Sequence, residues 1–441
     1  MNIIFFAMVA IAFLVAAYRH ATWTAPITAA GEEAAKAPME HLGLSMIGTA
    51  EASVTLAIGL IGVMALFLGL MKVAENGGLL RIVAKLLRPL LVRLFPDVPA
   101  EHPAMGAMIM NISANALGLG NAATPFGIRA MQELDKLNPH KGTATNSMAL
   151  FLAINTSSVT LLPTGVIAIR AAAGSSDPAG IVPTTLIATI CSTTIAILSA
   201  KLLQRHFKSP PPDADYKPDA DVQDAHPAEG EALPQEAGEA YPLWVSAIAL
   251  GCLIGFIPLT VAYGSSIAPW IIPGLMVGFL TFGVAKGVPI YESFVEGARD
   301  GFNVAVRIIP YLVAILVAVG MFRASGAMDL LISPIGLITG PLGLPAEALP
   351  MALMRPLSGS GAYGIMASII SDPAIGPDSY VGYLVTTLQG STETTFYVLA
   401  VYFGAVQIRR VRHALCAALL ADLAGITAAV VACLFLFGHL A

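Results

Sequence analysis

Apolar runs long enough to cross a bilayer, separated by short polar turns, make up most of this chain. Two of the runs are interrupted near their middles. Residues 144–154 and 161–169 flank Asn155-Thr156-Ser157-Ser158-Val159-Thr160, and residues 380–388 and 396–406 flank Gly390-Ser391-Thr392-Glu393-Thr394-Thr395. Small, hydroxyl-bearing or charged residues at that depth would lack hydrogen-bond partners if they faced lipid. The pattern therefore predicts helices that break and line a polar cavity.

The same reading predicts about nine spans, at 3–18, 53–74, 146–170, 182–203, 242–261, 269–284, 304–321, 380–406 and 413–437. Residues 103–131 and 350–370 are apolar but studded with Asn, Ser and Gly, which fits two re-entrant hairpins packed inside protein. Residues 21–50 are expected to be mostly loop. In residues 79–95, Leu79, Val83, Leu86 and Leu90 share one face and Arg81, Lys85 and Arg88 the other, which predicts a surface helix interrupted at Pro89. Residues 291–302 form a second amphipathic piece, and residues 328–344 a short interfacial one.

Composition agrees. The 441 residues are 56% hydrophobic and 12% charged, with a mean hydropathy of +0.76, against about 25% charged residues in soluble domains. This is the make-up of an all-α polytopic membrane protein. A net charge of -5 excludes nucleic acid as a partner. Cys191, Cys252, Cys416 and Cys433 lie within apolar runs without metal-like or redox-like spacing and read as buried free thiols. The apolar N-terminus lacks a basic leader and reads as a retained anchor. The acidic, Pro-rich stretch 208–240 reads as a disordered linker. Four units follow: an anchor and loop at 1–50, a first repeat at 51–207, the linker at 208–240, and two leading helices with a second repeat at 241–441.

Both halves run span, surface helix, interrupted segment, broken span, final span. Pro99-Ala100-Glu101 recurs as Pro345-Ala346-Glu347 at the equivalent point. Turns around the first interrupted segment are basic (Arg81, Lys85, Arg88, Arg93, Arg129, Lys136, Lys141), whereas those around the second carry Asp329, Glu347, Asp372 and Asp378. Basic residues favour the cytoplasmic face. The expectation is two inverted-topology repeats in a bacterial inner membrane, with N-terminus and linker cytoplasmic and C-terminus outside. Arg19 and Arg170 are the exceptions to the count. Inverted repeats with discontinuous helices are an architecture of secondary transporters.

These motifs resemble a fusion of the bacterial spore maturation proteins A and B. The residues that carry the resemblance are Asn111 through Pro125 with Asn155-Thr156-Ser157-Ser158 for the A-like half, and Arg355-Pro356-Leu357-Ser358-Gly359-Ser360-Gly361 with Gln389 through Tyr397 for the B-like half. The resemblance implies membership of the group with a nucleoside recognition, or gate, domain, which also takes in concentrative nucleoside transporters. Gly390-Ser391-Thr392-Glu393 is similar to the Gly-Gln-Thr-Glu tip that contacts the nucleobase there, with serine in place of glutamine.

The expected function is secondary transport of a small polar solute, nucleoside-like or other, coupled to Na⁺ or H⁺. The competing reading is a non-transporting scaffold of envelope or spore maturation. No enzymatic constellation or cofactor motif appears, and homo-oligomerisation is left open. Candidate solute-binding residues are Asn111, Asn115, Asn121, Asn155, Thr156, Ser157, Ser158, Ser358, Ser360, Gln389, Ser391, Thr392, Glu393 and Thr394, with a Na⁺ site near Asn115, Asn155, Thr392 and Glu393. Glu393 is the sharpest of these, because an unpaired carboxylate at mid-membrane is costly; a structural pair with Arg355 or Arg307 is the alternative. For the asparagines and hydroxyls the alternative is helix–helix hydrogen bonding. Asp422 is a second intramembrane acid, a coupling group or a partner of the basic end near Arg412.

Overall fold

The computed structural model describes residues 2–24, 36–118, 120–207, 241–331 and 333–440. The expected linker at 208–240 lies outside them. Among the described residues there is no strand, only an isolated parallel bridge between Thr143 and Arg410. Val182–Leu203 and Ala414–Leu440 are long and apolar enough to cross a membrane by themselves.

Helix α1 (Asn2–Ala21) is followed by α2 (Pro38–Asn76) and α3 (Leu79–Leu94), which bends away from the end of α2 by 68°. The loop expected up to residue 50 is thus helical from Pro38, where proline sits at a tolerated first-turn position. Pro89 does not interrupt α3, which continues through it. Next come α4 (Pro103–Ala116) and α5 (Gly120–Lys136), joined through Gly118 at a φ of 75° that suits glycine, and then α6 (Asn146–Thr156), α7 (Thr164–Ala172) and α8 (Val182–Leu203).

After the linker, α9 (Leu243–Ala285) is one helical run where two spans are expected. The amide of Tyr241 bonds the Lys85 carbonyl at 3.3 Å, while the Phe282 ring packs on Gly77. Both ends of α9 therefore lie at the same end of α2 and α3. A straight helix of that length would reach about 64 Å, so the run doubles back. Helix α10 (Ile290–Ala324) merges the amphipathic piece and the span expected after it. Short helices α11 (Ala327–Leu331), α12 (Ser333–Thr339) and α13 (Leu349–Met354) lead to α14 (Gly359–Ser371), α15 (Tyr380–Ser391), α16 (Thr395–Gly404) and α17 (Ala414–Phe437).

Helix starts are set by side-chain caps. Thr145 accepts the Met148 amide at the head of α6, Ser358 the Gly361 amide at α14, and Ser379 the Gly382 amide at α15. Three antiparallel pairings then join the halves. Asn76 bonds Ser293 at 3.0 Å at one end of the α2–α10 pair, and Ser45 reaches the Gly320 carbonyl at the other. Ser192 and Ser199 of α8 donate to the carbonyls of Ala421 and Ala417 of α17, at 2.9 and 3.4 Å. The third pair is α6–α7 with α15–α16. Of the four cysteines only Cys433 is buried; Cys191, Cys252 and Cys416 face outward, because their helices turn those positions away from the packed interior.

Candidate functional site

Helices α6 and α15 have 11 and 12 residues, about 17 Å each, roughly half of a bilayer's hydrocarbon core of about 30 Å. Beyond α6 the chain passes through Ser158 at a φ of 44° and resumes as α7 after Pro163. Beyond α15 it is extended at Thr392 and resumes as α16. The two breaks touch: the Glu393 amide donates to the Thr156 carbonyl at 2.9 Å. Each is also stitched to its own interrupted segment, Leu161 N–H to the Ala116 carbonyl at 3.0 Å and Phe396 N–H to the Pro356 carbonyl at 3.1 Å. Three of the backbone amides released by the breaks are thereby paired within the protein.

The first break is surrounded by neutral groups. Asn115 donates to Asn155 Oδ1 at 2.9 Å, Tyr402 of α16 donates to the same oxygen at 3.3 Å, and Asn111 donates to Tyr402 and to the Ala123 carbonyl. Asn155 returns its own N–H to the Phe151 carbonyl. The hydroxyls of Thr156 and Ser157 bond back to Ala153 and Ile154, and Ser157 also meets Thr193. Ser158 meets Thr160, and its carbonyl accepts from Thr189.

The second break is built around charge. Arg355, 4% exposed, donates to the Thr394 hydroxyl at 3.2 Å and to the Thr392 carbonyl, and its Nη2 lies 3.7 Å from Glu393 Oε2. The Glu393 side chain is 43% exposed, so its carboxylate faces open space on one side and a buried guanidinium on the other. Thr395, opening α16, donates to Asp422 of α17 at 2.6 Å. Among the buried polar atoms without a protein partner are Asn111 Oδ1, Thr185 Oγ1, Gln389 Oε1, Ser391 Oγ and Asp422 Oδ1, drawn from α4, α8, α15 and α17.

Two polar clusters hold the ends of the broken helices. At one end the amides of Arg409 and Arg410 bond the Gly142 carbonyl, and Arg412 bonds that of Ala144. At the other, Arg170 is fully buried; it donates to Asp378 at 2.9 Å and to Pro377, Thr386, Ser175 and Asp177, and it lies over the Tyr383 ring at 4.3 Å. Burial would raise the Asp378 carboxyl, but the Ser175 hydroxyl, the Ser176 amide and hydroxyl, and Arg170 together hold it below the ordinary carboxylate value. Arg170 is thus no loop charge, and Arg19 donates to the Ser325 carbonyl at 3.0 Å.

A family model described as Gate, nucleoside recognition, matches residues 57–173 and again residues 305–409. The chain belongs to the Gate family. Spore maturation protein B of Bacillus subtilis is 48% identical to this Gate protein over 167 residues, 38% of this chain and 93% of that one. Spore maturation protein A of the same organism is 49% identical over 158 residues, 36% of this chain and 79% of that one. A solved structure of CNTnw in an outward-facing state is similar at 14% identity and a TM-score of 0.45, covering 97% of this chain and 91% of that one.

Within the Gate protein, then, Asn111, Asn115 and Asn155 come together, and Thr392, Glu393 and Thr394 gather on Arg355. Ser358 is spent on capping α14. Ser360 forms no side-chain bond among the described residues, and the Asn121 side chain lies outside them. Of the groups expected near a Na⁺ ion, Asn155 Oδ1 accepts two donors and the Thr392 carbonyl accepts Arg355, while the Glu393 carboxylate is 43% exposed. Sequence reasoning named Arg355 only as a partner for Glu393, and it missed Tyr402, Thr189 and Thr193. Tyr402 lies two turns beyond the break in the other half, a placement that only the antiparallel crossing produces.

Proposed function

We propose that this chain is a secondary transporter that moves a small polar solute by alternating access, with the solute held where the two broken helices cross. The observation that carries the reading is the Glu393 carboxylate, partly exposed at mid-membrane beside buried Arg355, on a backbone segment bonded directly to the opposite break. Gln389, Ser391, Thr392 and Thr394 on one side and Asn111, Asn115 and Asn155 through Ser158 on the other would supply donors and acceptors, with Ser358, Ser360 and Asn121 kept as candidates. Two family matches in one chain, and three antiparallel pairings between its halves, support oppositely inserted repeats. The basic ends near Lys141 and Arg412 then face the cytoplasm and the Arg170–Asp378 end faces outward. On this reading the N-terminus and linker would lie inside and the C-terminus outside.

The family name makes nucleosides the first solute to try. Liposomes carrying the full-length protein are expected to take up radiolabelled uridine, or another neutral polar solute from a small panel, above empty liposomes. Glu393→Gln is expected to abolish that uptake while eluting as a folded species. Uptake equal in wild type and variant would overturn the role of Glu393, and no uptake of any panel member would count against transport. The relatives' names favour a second reading, a membrane scaffold of envelope maturation, in which Glu393→Gln would change a partner's association and no flux.

A further inference from the structure

Asp422 is an acid in the interior of α17 with a chemistry the solute site does not use. Its side chain is 4% exposed, Oδ2 accepts the Thr395 hydroxyl at 2.6 Å, and Oδ1 has no partner. One turn further along α17, a Cβ on Gly425 would stand 2.6 Å from the Thr392 methyl, so this helix face lies directly against the second break.

Among the described residues no ion pair includes Asp422. Helix α6 has no ionisable side chain. On α8, Cys191 points outward and Lys201 donates to the Leu94 carbonyl at 2.9 Å. Tyr380 and Tyr383 lie in the first turn of α15, remote from its break; on α16, Tyr397 is exposed and Tyr402 is bonded to Asn155. On α17 itself Cys416 faces outward and Cys433 bonds Thr387, and His439 lies past the helix end. Arg355 is the cation across the break; its Nη1 and Nη2 go to Thr392, Thr394 and Glu393, and its Nε has no partner among the described residues.

A carboxylate taken out of water with one hydrogen bond and no counter-ion is strongly disfavoured, and a bound proton removes the charge altogether. Sodium fits less well: it needs a shell of several oxygens, and the Thr392 carbonyl beside this site is held by Arg355. We infer that Asp422 is a proton-binding site in the membrane interior, protonated in this conformation and linked to the second break through Thr395. The step is an O–H dissociation: when the break region opens, the proton leaves Asp422 for water in the cavity and the electron pair stays on the carboxylate, to be reversed on closing. Its use in coupling rests on the transport reading; the bound proton does not.

The test is infrared spectroscopy of the full-length protein in sodium-free lipid nanodiscs at neutral pH, where a protonated carboxyl shows a C=O stretch that an ionised one lacks. Wild type minus Asp422→Asn is expected to leave one such band. Thr395→Val, which keeps the carboxyl and removes its hydrogen-bond donor, is expected to shift that band, and serves if the Asn variant fails to fold. Coincident spectra for wild type and Asp422→Asn, or an unshifted band in Thr395→Val, would overturn the inference. Loss of the band when choline is exchanged for sodium at constant pH would overturn it too, in favour of a sodium site. The measurement involves no flux, so a band present in a protein that moves no solute would sink the transport reading and leave the proton site standing.

Discussion

At the first break the freed amide of Leu161 is tied to Ala116, and at the second that of Phe396 is tied to Pro356, so the backbone scaffolding is the same on both sides. The side chains are not. Asn155 sits among Asn115, Asn111 and Tyr402, all neutral, whereas its opposite number lies among Arg355, Glu393 and Asp422. On the transport reading proposed above, amides on one side of the crossing and an ion pair on the other would suit a neutral, hydrogen-bonding solute.

The comparison can be broken first on its charged side. Arg355→Met removes three polar contacts and leaves the Thr392 carbonyl and Thr394 hydroxyl unpaired inside protein. A loss of about 3 kcal/mol is expected, since bonds to charged groups contribute about 1.5–3 kcal/mol each and Glu393 stays partly hydrated. Thermal unfolding of the purified protein in detergent reads it, and an unchanged melting temperature would show that the second break does not depend on its ion pair. Asn155→Ala is the matching change at the neutral break. It strands the donors of Asn115 and Tyr402, at a cost of about 2 kcal/mol, and a cost above that of Arg355→Met would reverse the ranking of the two sides.

A smaller effect is expected at the Arg170–Asp378 end of the crossing, where Asp378 is held below the ordinary carboxylate value. A depressed folded value means that the ionised group stabilises the fold fully above the unfolded value of about 4, and that the contribution fades as pH falls through the folded value. Asp378→Asn is therefore expected to cost about 1 kcal/mol at neutral pH, the exposed part of the carboxylate being screened, and progressively less in acid. Melting temperatures of wild type and variant that stay equally far apart down the pH series would refute this.

Much of this was legible in the sequence because the bilayer leaves so few options. Five polar side chains within six residues of an apolar run point to a break, and both breaks are there. Lateral detail was not legible. That Tyr402 would bond Asn155, or that Asp422 would take Thr395 instead of the basic end near Arg412, depends on how helices from different halves are rotated, and hydropathy carries no signal for rotation. Helix ends also misled. Residues 262–268 look like a turn between two spans, yet the backbone there stays helical within α9. Arg170 defeated the charge count because a buried arginine obeys packing, not the rule for loops.

The smallest stability effect belongs to the residue expected to matter most for solute movement. Glu393 is 43% exposed and its contact with Arg355 is long, at 3.7 Å, so Glu393→Gln is expected to change stability by no more than about 0.5 kcal/mol. A side chain that held the fold together would behave like Arg355 instead. Measured side by side, the two variants separate the roles within one ion pair: Arg355→Met lowers the melting temperature, whereas Glu393→Gln leaves it in place and removes uptake. If Glu393→Gln destabilises as much as Arg355→Met, the carboxylate is a structural partner, and the asymmetry between the breaks concerns folding and not the solute.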